Sequence, residues 1–287
     1  MKFKKYGEPK ENLTMKYNPM NLANSFIFTR MDCLIKTITA EYPGILKKFI
    51  SILKKRLDNS IERDVFEDKS NETTEIISKF PDLQHYLNLI TLKLSLFVDI
   101  LGISEQQFWE NSEMTASNKD FGHSVHRFTS MHLDTLEELI GKNNTIKLFK
   151  KNLDNYINTY DLDQKNIYSD LEDMREKTIE YKKANHYGRV RIFGEVENGQ
   201  FIIRAENCEK IESIKDLNID PDYLDVIVCY CHILLTKFWN ENFVLTQDRT
   251  IAKGNPYCEY AFHDTTIVDE VRHPPKEFFD NMWTLNK

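Results

Sequence analysis

The sequence predicts an α+β protein: a helical N-terminal region followed by a ββαββ antiparallel-sheet unit. Two observations carry that reading. From about residue 19 to 185 the apolar residues recur at the three-to-four spacing of helices, and from residue 187 the period changes to two. In the second region the element order is strand, strand, helix, strand, strand, which suits an antiparallel sheet backed by a helix. With 287 residues, 41% hydrophobic and 12% aromatic, the chain has material for one large or two modest domains with a sizeable core. The boundary is expected between a mainly helical region, 1–185, and a unit spanning 186–287 with a C-terminal tail.

The first helix is expected from "NPMNLANSFIFTRMDCLIKTITAEY", with Asn18 as cap and Pro19 in the first helical position, where its missing N–H is not needed. "PGILKKFISILKKRLDNS" follows as an amphipathic helix with Lys and Arg on the wet face, and "DVFEDKSNETT" reads as a polar loop. The segment opening at Pro81 is apolar almost all round, as befits a helix enclosed by others. Three further helices are expected over 121–140, 144–160 and 164–184, the last with Ile167, Leu171 and Met174 as a single apolar stripe on an otherwise solvated helix. In "YGRVRIFGEVENGQFIIRAENC" two alternating runs flank Glu-Asn-Gly, whose turn chemistry admits positive φ, so a β-hairpin is expected with strands near 189–195 and 200–206. A helix over 221–239 and a second hairpin turning at Lys253-Gly254-Asn255-Pro256 complete the unit. The tail is expected to pack back through Phe278, Phe279 and Trp283, because so many aromatics are rarely left in water.

Charge and cysteine content narrow the function classes. The 38 basic and 45 acidic residues leave a net charge of −7, which argues against coating nucleic acid or an anionic membrane. The longest apolar run, "LNLITLKLSLFVDILG", is interrupted by Lys93 and Asp99 and is too short to span a bilayer. No secretory pattern follows the charged start, and five cysteines are an odd number, so reduced thiols in a cytoplasmic location are expected. Exposed apolar helix faces would permit a homodimer. No P-loop, dinucleotide fingerprint or nucleophile elbow occurs.

Cys208, Cys229, Cys231 and Cys258 fall in the last third of the chain. Cys229 and His232, three apart on one expected helix, share a face, whereas Cys231 turns away. On the last strand Cys258, Tyr260 and Phe262 share one side, and Tyr257, Glu259 and His263 the other. Arg249, on the expected preceding strand, could offer a guanidinium to a carboxylate. Each cysteine taken alone could simply be a small core hydrophobe. A zinc site of Cys208, Cys229, Cys258 and His232 has suitable ligand types but lacks a paired C-x2-C spacing, so no cofactor is assigned. A thiol-lined pocket is the third reading, since a thiolate beside His or Arg is a strong nucleophile. His123 and His126, three apart on a helix, have metal-compatible spacing without an evident third ligand.

Read in order, the stretch from "FIIRAENC" through "VCYCH" and "QDRTIAKGNPYCEYAF" resembles the L-2-amino-thiazoline-4-carboxylic acid hydrolase family over about residues 188–264. Cys208, Cys229, Arg249, Thr250, Gly254 and Cys258 fall where that family's pattern places its Cys, Arg-Thr, Gly and Cys residues. His232 stands in place of the family's acidic residue, and Cys258-Glu259-Tyr260 replaces Cys-Asp-Phe. The resemblance implies a hydrolase of a small carboxylated C–N heterocycle. Cys258 or Cys229 would then act as nucleophile, His232 as proton carrier and Arg249 as carboxylate clamp, with Cys208 and Thr250 contacting substrate. A weaker resemblance to the 4-vinyl-reductase-type small-molecule-binding domain implies a pocket that binds without turnover.

Overall fold

In the computed structural model of the chain, residues 1–10, 12–62, 75–160, 165–184 and 188–282 are described. The protein is α+β and divides into two compact units. The helical unit takes Thr14–Tyr156 with Asp216–Asn218; the sheet unit takes Met1–Leu13, Ile157–Lys215 and Ile219–Lys287. The strands in chain order are β1 (Phe3–Tyr6), β2 (Thr14–Tyr17), β3 (Met114–Ser117), β4 (Arg191–Gly194), β5 (Gln200–Ala205), β6 (Phe243–Thr246) and β7 (Cys258–Asp264).

In the helical unit, Asn18 caps the first helix as expected, its side chain accepting from the Asn21 N–H at 3.0 Å with Pro19 in the first turn. The helical run from Pro19 to Glu41 is continuous but not uniform: Asn24–Thr29 widens into a π-helical segment before Arg30–Glu41 resumes the α form. Helix Leu46–Asp58 turns Phe49, Ile50, Leu53 and Leu57 inward and its Lys and Arg residues outward. The apolar run forms helix Leu87–Leu101, packed against Leu46–Asp58 and Asn118–Ile140. It stops at Gly102, whose φ of +65 lets the Ile103 N–H return to the Val98 carbonyl at 3.1 Å. Among the described residues no helix is long and apolar enough to cross a membrane. β2 and β3 form a short antiparallel ribbon that helical periodicity did not reveal. The segment read as a polar loop lies outside the described residues.

The sheet unit holds five antiparallel strands in the order β1-β4-β5-β7-β6. The first hairpin is as expected, with Asn198 and Gly199 both at positive φ. Side chains alternate between two faces. Phe193, Phe201, Leu245 and Phe262 lie on one side under Leu171, Met174 and Ile179, while Ile192, Ile202 and Ala261 lie on the other beneath Phe279 and Met282.

These contacts explain why the division differs from 1–185 and 186–287. β1 pairs with β4 from Phe3↔Gly194 to Tyr6↔Arg191, and helix Leu171–Ala184 packs its apolar stripe on the sheet. That helix starts later than expected because Asp170 accepts from the Asp173 N–H at 2.8 Å; residues 161–164 are outside the described set. The tail returns over the sheet through helix Lys276–Asn281 as expected, although Trp283 lies outside the described residues.

The helix over 221–239 forms with the expected bounds, but Pro221–Leu224 widens into a π-helical turn Asp225–Cys229 before Tyr230–Trp239 resumes the α form. One local expectation is corrected. The second hairpin is not tight, because β6 ends at Thr246 and β7 begins at Cys258. Residues 247–257 form the connection, including a 3-10 turn Ile251–Lys253 closed by Gly254 at φ +80.

Candidate functional site

In the sheet unit, one sheet face and the segments above it enclose a pocket of about 190 Å³. Period-two alternation aims its floor: Arg189, Arg191 and Phe193 project from β4 and the residues before it, and Tyr260 and Phe262 from β7. Helix Tyr230–Trp239 supplies His232 and Trp239, and the segment after β5 supplies Cys208. The aromatic floor is ordered. Tyr260 and Phe262 stack at 6.4 Å and 6°, Phe262 continues to Phe201 at 5.7 Å, and the His232 ring meets Tyr260 edge-on at 5.5 Å.

Arg191 is held at the pocket by backbone carbonyls. Its Nη1 donates to the Asn207 carbonyl at 2.7 Å and the Val190 carbonyl at 3.0 Å, so the guanidinium plane is held by backbone oxygens. Glu209 approaches its Nη2 at only 3.9 Å and pairs more closely with Arg189. Such a preorganised planar fork suits a carboxylate or another flat anion.

The thiols expected to cluster do so: Cys208, Cys229 and Cys258 lie within electrostatic reach of one another, and all three act on Tyr260. Their setting is the reverse of an activated nucleophile. Burial pushes the Cys208 and Cys229 thiols up and Cys258 to about 11, while Arg191 pulls weakly the other way on Cys208 and Cys258. Tyr260 is also raised well above its ordinary value, chiefly by burial. Cys229 and Cys258 are 3% and 2% exposed and sit behind the wall, where the Cys258 sulfur accepts from the Ile251 N–H at 3.2 Å. Cys208 and His232 reach the pocket itself. The geometry therefore separates His232 from Cys229 in role, one lining the pocket and the other packed beneath. Cys231 sits aside, its sulfur donating to the Val228 carbonyl at 3.3 Å.

Arg249 and Thr250 do not line the pocket. Arg249 lies in the connection after β6, and its Nε donates to Glu259 Oε1 at 2.6 Å. Glu259 points to the sheet face opposite Tyr260, because adjacent strand residues alternate, and that draws the guanidinium away from the pocket. The second oxygen of this fully buried carboxylate meets His273 Nε2 at 3.1 Å. Thr250 caps the 3-10 turn, accepting from the Lys253 N–H at 3.3 Å, and is 1% exposed.

Among the described residues no three His, Cys, Asp or Glu side chains form a group able to hold a metal. In the helical unit, His123 bonds Asp216 at 2.8 Å, and His126 is buried. Arg189 and Arg191 were missed as pocket residues, yet the signal was present: in "RVRIF" positions 189, 191 and 193 share one strand face. Comparisons with protein-family models, with curated proteins and with solved structures give no match.

Proposed function

We propose that the sheet unit binds a small, flat, carboxylated molecule of the C–N heterocycle class that the sequence resemblance implies. The observation that supports this reading is the pairing, in one pocket, of a backbone-held guanidinium, Arg191, with a floor of stacked aromatic rings. The rings would accept the face of a flat ligand, and the guanidinium its carboxylate. Arg191 thus takes the clamp role that the sequence assigned to Arg249, whose partner is Glu259. The raised thiols favour binding over covalent attack, since only a thiolate is strongly nucleophilic.

A hydrolytic second reading has its own support, because His232 and Cys208 share the pocket wall. In that reading His232 carries the proton between water and a ring nitrogen, and the cysteines shape the pocket without forming a covalent intermediate. The experiment is calorimetric titration of the protein and its Arg191→Gln variant with 2-amino-thiazoline-4-carboxylate, with mass spectrometry of the same samples for S-carbamoyl-cysteine. Binding without product supports the binding reading, and product that is lost in His232→Gln supports hydrolysis. If the wild type neither binds nor turns over the compound, the ligand class is wrong.

A further inference from the structure

The helical unit contains a second cavity, unrelated to the pocket on the sheet. It is small, about 20 Å³, and is lined by Arg30, Thr129, His132, Asn152 and Tyr156 with apolar neighbours. A space of this size is just above the roughly 10–15 Å³ needed for one water-sized guest. Its walls combine a half-buried guanidinium with an imidazole that is backed by an amine. The Arg30 guanidinium lies 4.3 Å from the centre of the Phe26 ring and 5.4 Å from that of Tyr156, and its buried Nε makes no hydrogen bond among the described residues. His132 stands on the opposite helix, with its Nε2 3.3 Å from Lys93 Nζ. Lys93 is completely enclosed, packed 5.3 Å above the Phe128 ring in an otherwise apolar helix.

Burial lowers both Lys93 and His132, so the half-buried Arg30 guanidinium is the lasting charge of this cluster. Buried cations in proteins are ordinarily paired with carboxylates. Among the described residues no carboxylate forms a hydrogen bond or ion pair with Arg30, Lys93 or His132. The nearest acid along the chain from Arg30, buried Asp32, is engaged by Lys36 at 2.7 Å and by the Asp82 N–H at 3.1 Å. The polar groups lining the cavity are the Thr129 and Tyr156 hydroxyls, the Asn152 amide, the imidazole and the guanidinium, each of which carries a hydrogen-bond donor.

We propose that this cavity is a binding site for a small monovalent anion, of the size of chloride or formate, held by Arg30, His132, Thr129 and Asn152 and backed by the Lys93 amine. Size excludes phosphate, sulfate and organic acids larger than formate. Burial lowers Lys93 to about 7 and His132 well below its ordinary value, so an anion arriving beside them restores a proton that burial had disfavoured. Binding is therefore expected to take up a fraction of a proton near neutral pH.

The test is chloride NMR line width in the presence of the intact protein, the wild type compared with Arg30→Gln and Lys93→Met, with formate as competitor. The expected result is excess broadening in the wild type that formate removes and that falls at least threefold in each variant, with proton uptake seen as a buffer-dependent heat on titrating formate. Arg30→Lys, which keeps the charge but not the fork, serves if Arg30→Gln does not fold, and is expected to broaden chloride less than the wild type. Absence of excess broadening in the wild type overturns the proposal, and so does broadening that survives unchanged in Lys93→Met and in the folded Arg30 variant.

Discussion

Replacing Lys93 with Met tests how a buried amine governs the stability of the helical unit. The folded chain holds this group at about 7 against an ordinary 10.5, because burial disfavours its charge. In the unfolded chain the amine is charged up to its ordinary pKa, so between about 7 and 10.5 the unfolded state binds more protons and stability rises with pH through that window. At pH 7 the mismatch amounts to about 4 kcal/mol, from roughly three decades at 1.36 kcal/mol each. By pH 10 it has shrunk to about 1 kcal/mol. Met has similar bulk and no charge, but it leaves His132 Nε2 without its partner, a loss of about 1–3 kcal/mol. Lys93→Met is therefore expected to stabilise the protein by about 1–3 kcal/mol at pH 7 and to be neutral or destabilising at pH 10. Urea midpoints at the two pH values, with the slope of the transition unchanged, measure the difference. A variant that is less stable than the wild type by the same amount at both pH values would refute the reasoning.

Other consequences are equally direct. Arg191→Lys keeps a positive charge but loses the planar fork held by the Asn207 and Val190 carbonyls, so calorimetry should find carboxylated ligands bound at least tenfold more weakly with the fold intact. Native protein treated with iodoacetamide at pH 7.5 should leave Cys229 and Cys258 unmodified, because both are buried with raised thiols; peptide mapping that finds Cys258 alkylated as fast as a free thiol contradicts the pocket description. His263 is lowered by burial and by His273, so it stays neutral in the fold while its unfolded counterpart charges below about 6.5; stability should fall as pH falls through that value, and His263→Gln should flatten the slope of a pH series of thermal unfolding.

The parts of this architecture that could be read from sequence are those that local periodicity encodes. "RIFGEVENGQFIIRA" carries both its alternation and its turn, and the hairpin follows from them. β1 is different. Of its four residues only Phe3 is buried, and its partner is β4, near residue 190, so the strand exists because of a distant edge rather than a local pattern. The π-helical turn at Asp225–Cys229 is likewise invisible to a period of 3.6, and it ends at Cys229, three residues before His232 on the same helical run. The thiol cluster was legible because three cysteines recur in one compact unit, but their chemistry was not. A cysteine near His and Arg reads as activated, whereas burial decides the sign of the shift, and burial is a property of the packed fold.

The different placement of Arg191 and Arg249 follows the same principle. Arg191 sits in an apolar alternating run and Arg249 in a polar one beside the glycine turn, and the family resemblance points to Arg249. What separates them is the partner each meets. Glu259 is one residue from Tyr260, so it faces away from the pocket, and a fully buried carboxylate there requires a cation. Arg249 meets that need together with His273, whose Nδ1 lies 2.9 Å from Thr246 Oγ1. The same hydroxyl lies 2.9 Å from His263 Nε2, so strand β6, strand β7 and the tail share one network behind the pocket. Arg191 is anchored by the Asn207 and Val190 carbonyls, and the carboxylate near it, Glu209 at 3.9 Å from Nη2, is shared with Arg189. Arg249 is paired inside the fold with a fully buried carboxylate, whereas Arg191 stays at the pocket, oriented by two carbonyls and only loosely approached by Glu209.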